Sequence, residues 1–164
     1  FLLHEVPYKA AVIMDKGMKK GIIDKNVRNL RLLSQAWLQA QESEKAIDPL
    51  KRAADLSKDG DLDVRLAQAY LNLDKYKEAI AALETGLKKG GVKRRDTANV
   101  MLGLANFELQ RFNASIKAFT NASKDKRSKK TATQWLGHVR NEKARKKQLE
   151  DAIRKQKEAV ADIS

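Results

Sequence analysis

The chain has 164 residues, 42% of them hydrophobic but only 5% aromatic, with two Pro, no Cys and a formal net charge of +13. That length and apolar share fit one elongated domain with its own core, and the Ala- and Leu-weighted composition favours helices over strands. The missing Cys excludes a disulfide framework and a thiolate metal site, and no uninterrupted apolar run approaches the roughly 20 residues of a membrane-spanning helix, so the segment reads as soluble with any anchor outside it.

The chain opens on Phe1-Leu2-Leu3, with neither an initiator Met nor the basic, apolar, small-residue order of a signal peptide, and reads as a fragment of a longer protein. In residues 1–23, Pro7-Tyr8-Lys9-Ala10-Ala11, Met14 and Gly17-Met18-Lys19-Lys20-Gly21 run parallel to Glu78-Ala79-Ile80, Leu83 and Gly86-Leu87-Lys88-Lys89-Gly90. This predicts the second helix of a pair whose first helix is cut away, with further repeats ahead of Phe1.

Internal self-similarity then dominates. Residues 26–59 contain Leu33-Ser34, Trp37, Ala46, Leu50 and Ala53, and residues 60–94 contain Leu66-Ala67, Tyr70, Ala79, Leu83 and Gly86, each 33 residues further on. In residues 95–127, Leu102-Gly103, Ser115, Phe119 and Ala122 follow 36 residues later, the extra length falling in the loop from Gly90 to Arg95. Residues 128–164 begin a partial repeat, since Leu136-Gly137 repeats Leu102-Gly103 after 34 residues with Trp135 beside it. Leu149, Ile153, Val160 and Ile163 then keep an apolar stripe without Gly or Pro, which predicts a long closing helix over the last repeat.

The spacing has a simple cause: two antiparallel helices need small residues where their backbones approach most closely, and large ones to fill the space between neighbouring pairs. Ala46, Ala53, Ala79, Gly86 and Ala122 supply the first; Trp37, Leu50, Tyr70, Leu83 and Phe119 supply the second. Breaks are expected at Asp59-Gly60-Asp61 and Gly90-Gly91, with Asp96 or Thr97 as an N-cap.

These residues resemble the tetratricopeptide repeat family, whose signature is a large residue, Leu-Gly, Tyr, then Ala, Phe and Ala over two helices. Tyr76-Lys77-Glu78-Ala79-Ile80 and the stretch from Leu102-Gly103 to Phe112 match it best. Asn106 departs from the pattern, with Phe107 beside it where an aromatic is usual; so does Ser115 at an Ala position, and the closing Pro is absent. The resemblance implies an all-α fold, a right-handed superhelical solenoid of antiparallel helix pairs with a long C-terminal capping helix. It also implies a non-catalytic scaffold that binds a partner protein or peptide in a concave groove lined by the first helix of each pair. On that register the groove residues are Arg31, Gln35 and Leu38, then Gln68, Leu71 and Asn72, then Leu104, Phe107 and Glu108, and finally His138. Some family members clamp a C-terminal carboxylate with Lys, Asn and Arg; here Arg31 and Gln35 stand at two clamp positions, but Gln68, Val100 and Met101 do not complete the set. The chain is also similar in wording to the C-terminal repeat part of periplasmic proteins associated with TonB-type systems, through Pro7-Tyr8-Lys9-Ala10-Ala11, Ala36-Trp37 and the Arg127-Ser128 to Trp135 stretch. That likeness implies a periplasmic accessory to iron uptake; composition alone leaves the cytoplasm open.

Catalysis is not expected: the two histidines, His4 and His138, are far apart, no Gly-rich phosphate loop follows a strand, and Lys88-Lys89-Gly90-Gly91 lacks the spacing of a nucleotide-binding loop. No cofactor or metal ligand set is read, since Arg140, Asn141 and Glu142 give His138 no convincing partner. Between Lys124 and Glu158 stand 13 Lys and Arg against 5 Asp and Glu, an excess of +8. That excess supports weak phosphate contacts as the alternative reading, although few aromatics are free to stack on bases. Self-association stays open, through the cut repeat or the long last helix.

Overall fold

The structure is a computed structural model that describes residues 2–161, the side chains of 2–4 and 160 excepted. Among them stand eight helices: α1 (Leu2–Lys19), α2 (Val27–Gln39), α3 (Ser43–Leu56), α4 (Asp61–Leu71), α5 (Tyr76–Lys89), α6 (Arg95–Glu108), α7 (Phe112–Ala122) and α8 (Lys129–Ala161). Each helix packs against the next along the chain, and α4 also touches α6. The result is an all-helical solenoid.

The small and large residues of the repeat do what their spacing requires. Ala46, Ala53, Ala79 and Ala122 are wholly enclosed, and Leu50, Leu83 and Phe119 fill the core beside them. Gly103 shows how close the approach is, because a Cβ there would stand 2.7 Å from the Phe119 ring. Ser115, which departs from the family pattern, is fully buried at the same crossing and donates its hydroxyl to the Gly103 carbonyl at 2.8 Å. A small residue is still required there, and its one polar group has a partner.

The link inside each pair is a tight turn with the same geometry three times. Gln41, Asp74 and Gln110 adopt left-handed backbone with φ of 61°, 54° and 54°. In each turn the following amide bonds back to the first helix: Glu42 N–H to the Trp37 carbonyl at 2.9 Å, Lys75 to Tyr70 at 2.9 Å and Arg111 to Asn106 at 2.8 Å. These are the six-to-one bonds that close a helix C-terminus. The breaks between pairs fall at the expected glycines: Gly90 ends α5 with φ 80°, and the Gly60 amide donates to the Gly90 carbonyl at 2.8 Å. The expected N-cap is different. Arg94, not Asp96 or Thr97, precedes α6, and Asp96 lies buried in its first turn, drawn in by partners described below.

At the ends the fold is less filled. Ala11 and Met18 bury against the neighbouring helix, whereas Val6, Ala10 and Ile13 share an uncovered face of α1. Helix α8 closes the last pair only with its first half. Ala132 and Val139 are fully buried, Lys143 Nζ reaches Asn113 and Lys146 Nζ reaches Gln110, each at 2.7 Å. Beyond Lys146 its hydrogen bonds and ion pairs run within α8, and Leu149 and Ile153 are exposed at 61% and 44%. Of the expected closing stripe, the Val160 side chain and Ile163 lie outside the described residues.

Candidate functional site

The first helices of the pairs, α2, α4, α6 and the start of α8, present the expected groove residues. Gln35, Gln68, Leu104 and His138 stand at one register position, 33, 36 and 34 residues apart. Three of them are exposed and Leu104 is half-buried. Arg31, Asn72 and Glu108 are exposed as well, while Leu38 and Leu71 are half-buried against the main core. Gln68 and Asn72 meet, Nε2 to Oδ1 at 3.1 Å.

Phe107 is differently engaged. Its ring centroid lies 5.1 Å from His138, 5.6 Å from Trp135 and 6.1 Å from Phe112, and Trp135 stacks on Phe119 at 5.6 Å. The cluster joins α6, α7 and α8, so Phe107 belongs to the packing of the last pair as much as to a surface. His138 touches both Phe107 and Trp135 through its ring. The His4 side chain lies outside the described residues, and among the described residues no three of His, Cys, Asp and Glu are grouped to hold a metal ion.

The opposite side of the same helices carries features that the groove register passes over. At about 100° per residue, Asn99, Leu102 and Asn106 fall within roughly 60° of one another on α6, and Leu104 and Glu108 lie about 120–180° away. These three residues floor a cavity of about 740 Å³ walled by α5 and α7. A cavity of about 520 Å³ lies over α2 in the corresponding place, floored by Leu30, Leu33 and Trp37. There Tyr8 meets the edge of Trp37 at 5.6 Å, and Lys45 Nζ sits 5.2 and 5.1 Å from the two rings. Over α4, Lys89 of α5 crosses to the Ala54 carbonyl of α3 at 2.8 Å and pairs with the buried Asp63 at 2.9 Å. None of the expected groove residues lines either cavity. The signal in the sequence was Asn106 itself, an amide where the pattern has an aromatic; Asn99, opposite Leu30 and Asp63 in the other copies, gave the second.

Asp96 anchors the last pair. Arg94 donates to it twice, from Nε at 3.0 Å and a terminal nitrogen at 2.9 Å, and Ser128 Oγ donates at 2.8 Å across 32 residues of chain. The Arg94 hydrogen bonds, with Ser128 and the Thr97 amide adding to them against the penalty of burial, hold its carboxyl well below the usual carboxylate range. The basic surface near it includes Lys126, Lys129 and Lys130, which with Thr133 and Gln134 border a shallow concavity of about 480 Å³.

Residues 64–130 match the family model described as tetratricopeptide repeat. That stretch is similar to tetratricopeptide repeats. Solved structures agree on the fold: a crystal structure of MamA aligns with a TM-score of 0.70 at 23% identity, over 82% of this chain and 77% of that one. A second MamA structure gives 0.66 at 22% identity, over 85% and 84%. The first TPR of Spaghetti (RPAP3), bound to the HSP90 peptide SRMEEVD, gives 0.63 at 20% identity, over 72% and 93%. At these identities the likeness is one of fold. No curated protein matches the chain. Among the described residues no helix is long and apolar enough to cross a membrane.

Proposed function

We propose that the chain is a non-catalytic scaffold that holds a segment of a partner protein along the inner face formed by α2, α4, α6 and the start of α8. The observation that carries this reading is the row Gln35, Gln68, Leu104 and His138, one residue from each successive first helix, exposed or half-exposed. Amides in such a row can bond the partner's backbone, and Leu71 and Leu104 offer an apolar shelf for its side chains. A tetratricopeptide neighbour that holds a peptide adds support by analogy of fold. The further association with a TonB-type system, and the periplasmic location that goes with it, rest on the wording of the sequence alone.

A second reading, binding of nucleic acid or another polyanion, draws on the lysines around the start of α8. The two are separated by affinity capture at moderate salt with wild type and a Gln35→Ala/Gln68→Ala variant. Both positions are exposed, so the variant keeps its fold, whereas a change at Phe107 would disturb the aromatic cluster. Protein partners captured by wild type and lost from the variant are the expected outcome. Nucleic acid captured equally by both, and released as salt is raised, would replace the scaffold reading with the polyanion one.

A further inference from the structure

We propose that the cavity between α5 and α7 is a second peptide site, on the face opposite the groove, which takes an extended acidic segment chiefly by its main chain. Three repeats present the same two register positions to this outer face, and only the third places a carboxamide at both. Over α2 the positions hold Leu30 and Trp37, and over α4 they hold Asp63, already paired with Lys89, and Tyr70. Over α6 they hold Asn99 and Asn106, only 8% and 3% exposed.

A carboxamide has two N–H donors and an oxygen with two lone pairs. Each of these uses one N–H, donated to the carbonyl four residues back: Asn99 to Arg95 and Asn106 to Leu102, both at 2.8 Å. No enclosed side-chain nitrogen or oxygen among the described residues lacks a partner. The amide oxygens, which accept no bond from the chain, therefore open on the cavity. An oxygen that opens on a cavity takes its hydrogen bond from water or from a ligand, and a peptide group laid over the amide supplies both a donor and an acceptor.

The dimensions suit a strand. Asn99 and Asn106 are two turns apart, about 10 Å along α6, which is the rise of about three extended residues. A volume of about 740 Å³ lies within the ordinary range of ligand sites. Its charge points to an acidic occupant. Arg95, Lys117 and Lys124 line it against Glu84, while the lining Asp96 and Asp125 are already held by Arg94 and Arg127.

The test uses a displayed pool of random linear heptapeptides selected on the whole chain, followed by titration of the enriched peptides. The expected result is enrichment of acidic sequences whose affinity falls at least tenfold in Asn99→Leu/Asn106→Leu and several-fold in the surface variant Lys117→Glu. Affinity should be unchanged in Gln35→Ala/Gln68→Ala, and the side-chain amide resonances of Asn99 and Asn106 should move on binding. Lys117→Glu keeps the result readable if the double Leu variant folds poorly. No enrichment, or peptides that bind the outer-face variants as they bind wild type, would overturn the proposal. Peptides lost only from the Gln35→Ala/Gln68→Ala variant would overturn it too, while supporting the inner-face reading.

Discussion

Asp96 is the residue on which the end of the solenoid turns. Its side chain is fully enclosed, yet it stays charged because Arg94 forks onto it and Ser128 donates from the start of α8. A carboxyl whose folded pKa is depressed binds its proton less readily than in the unfolded chain. Its stabilisation is therefore complete above the unfolded value near 3.9 and is lost as pH falls below it. Urea midpoints should owe nothing to this residue's titration between pH 5 and 7, and should drop below about pH 4. Asp96→Asn should lower stability at neutral pH by about 2 kcal/mol and remove its share of the acid dependence; an unchanged acid limb in that variant would assign it to other carboxylates. Such contacts are not legible in a sequence. Ser115 and Asn106 can be read as departures from a repeat pattern, but their partners are backbone carbonyls, and which carbonyl comes within reach depends on how the helices meet.

At the scale of elements, the helix pairs were readable because small residues recur wherever two backbones must touch. The turns inside the pairs were not. Gln41 and Gln110 are poor turn residues by type, and their left-handed backbone is imposed by the bonds that close the first helix. A side chain in that region costs roughly 1 kcal/mol relative to glycine. Gln41→Gly should accordingly raise the unfolding free energy by about 0.5–1 kcal/mol, visible as a higher urea midpoint at constant slope. A loss instead would mean that the freedom glycine adds to the unfolded chain outweighs the relief. Helix α8 was expected as a cap and is one as far as Lys146, beyond which Leu149 and Ile153 of its stripe are exposed. Ending the chain after Lys147 should leave thermal stability within about 0.5 kcal/mol of the full chain, as for surface changes generally; a larger loss in a calorimetric melt would mean that the exposed half of α8 packs somewhere.

Over the described residues, most of the buried hydrophobic side chains fall into two clusters. The larger runs from Ala11 on α1 to Met101 on α6, and the smaller joins Phe119, Ala122, Ala132 and Val139 with Trp135 and Phe107 packed on them. Helix α6 serves both, turning Ala98 and Met101 toward one and Leu104 toward the other. The same two-sidedness explains why the sequence pointed to only one candidate site. A family register assigns the inner face by position, but the outer cavity over α6 is left because α5 and α7 do not close over it, and only its two amide floor residues show in the sequence. In a solenoid each repeat touches only its neighbours, so damage should stay local unless the shared helix transmits it. Trp135→Ala removes the centre of the smaller cluster and should cost about 3 kcal/mol. In hydrogen exchange its amides should lose protection in α7 and the first half of α8, partly in α6, and hardly in α2 to α5. Leu50→Ala, of similar cost, should give the reverse. Uniform loss across all helices in both variants would mean that α6 couples the clusters into one cooperative unit, so that a ligand bound on either face would stabilise the whole chain and not merely the repeat that it touches.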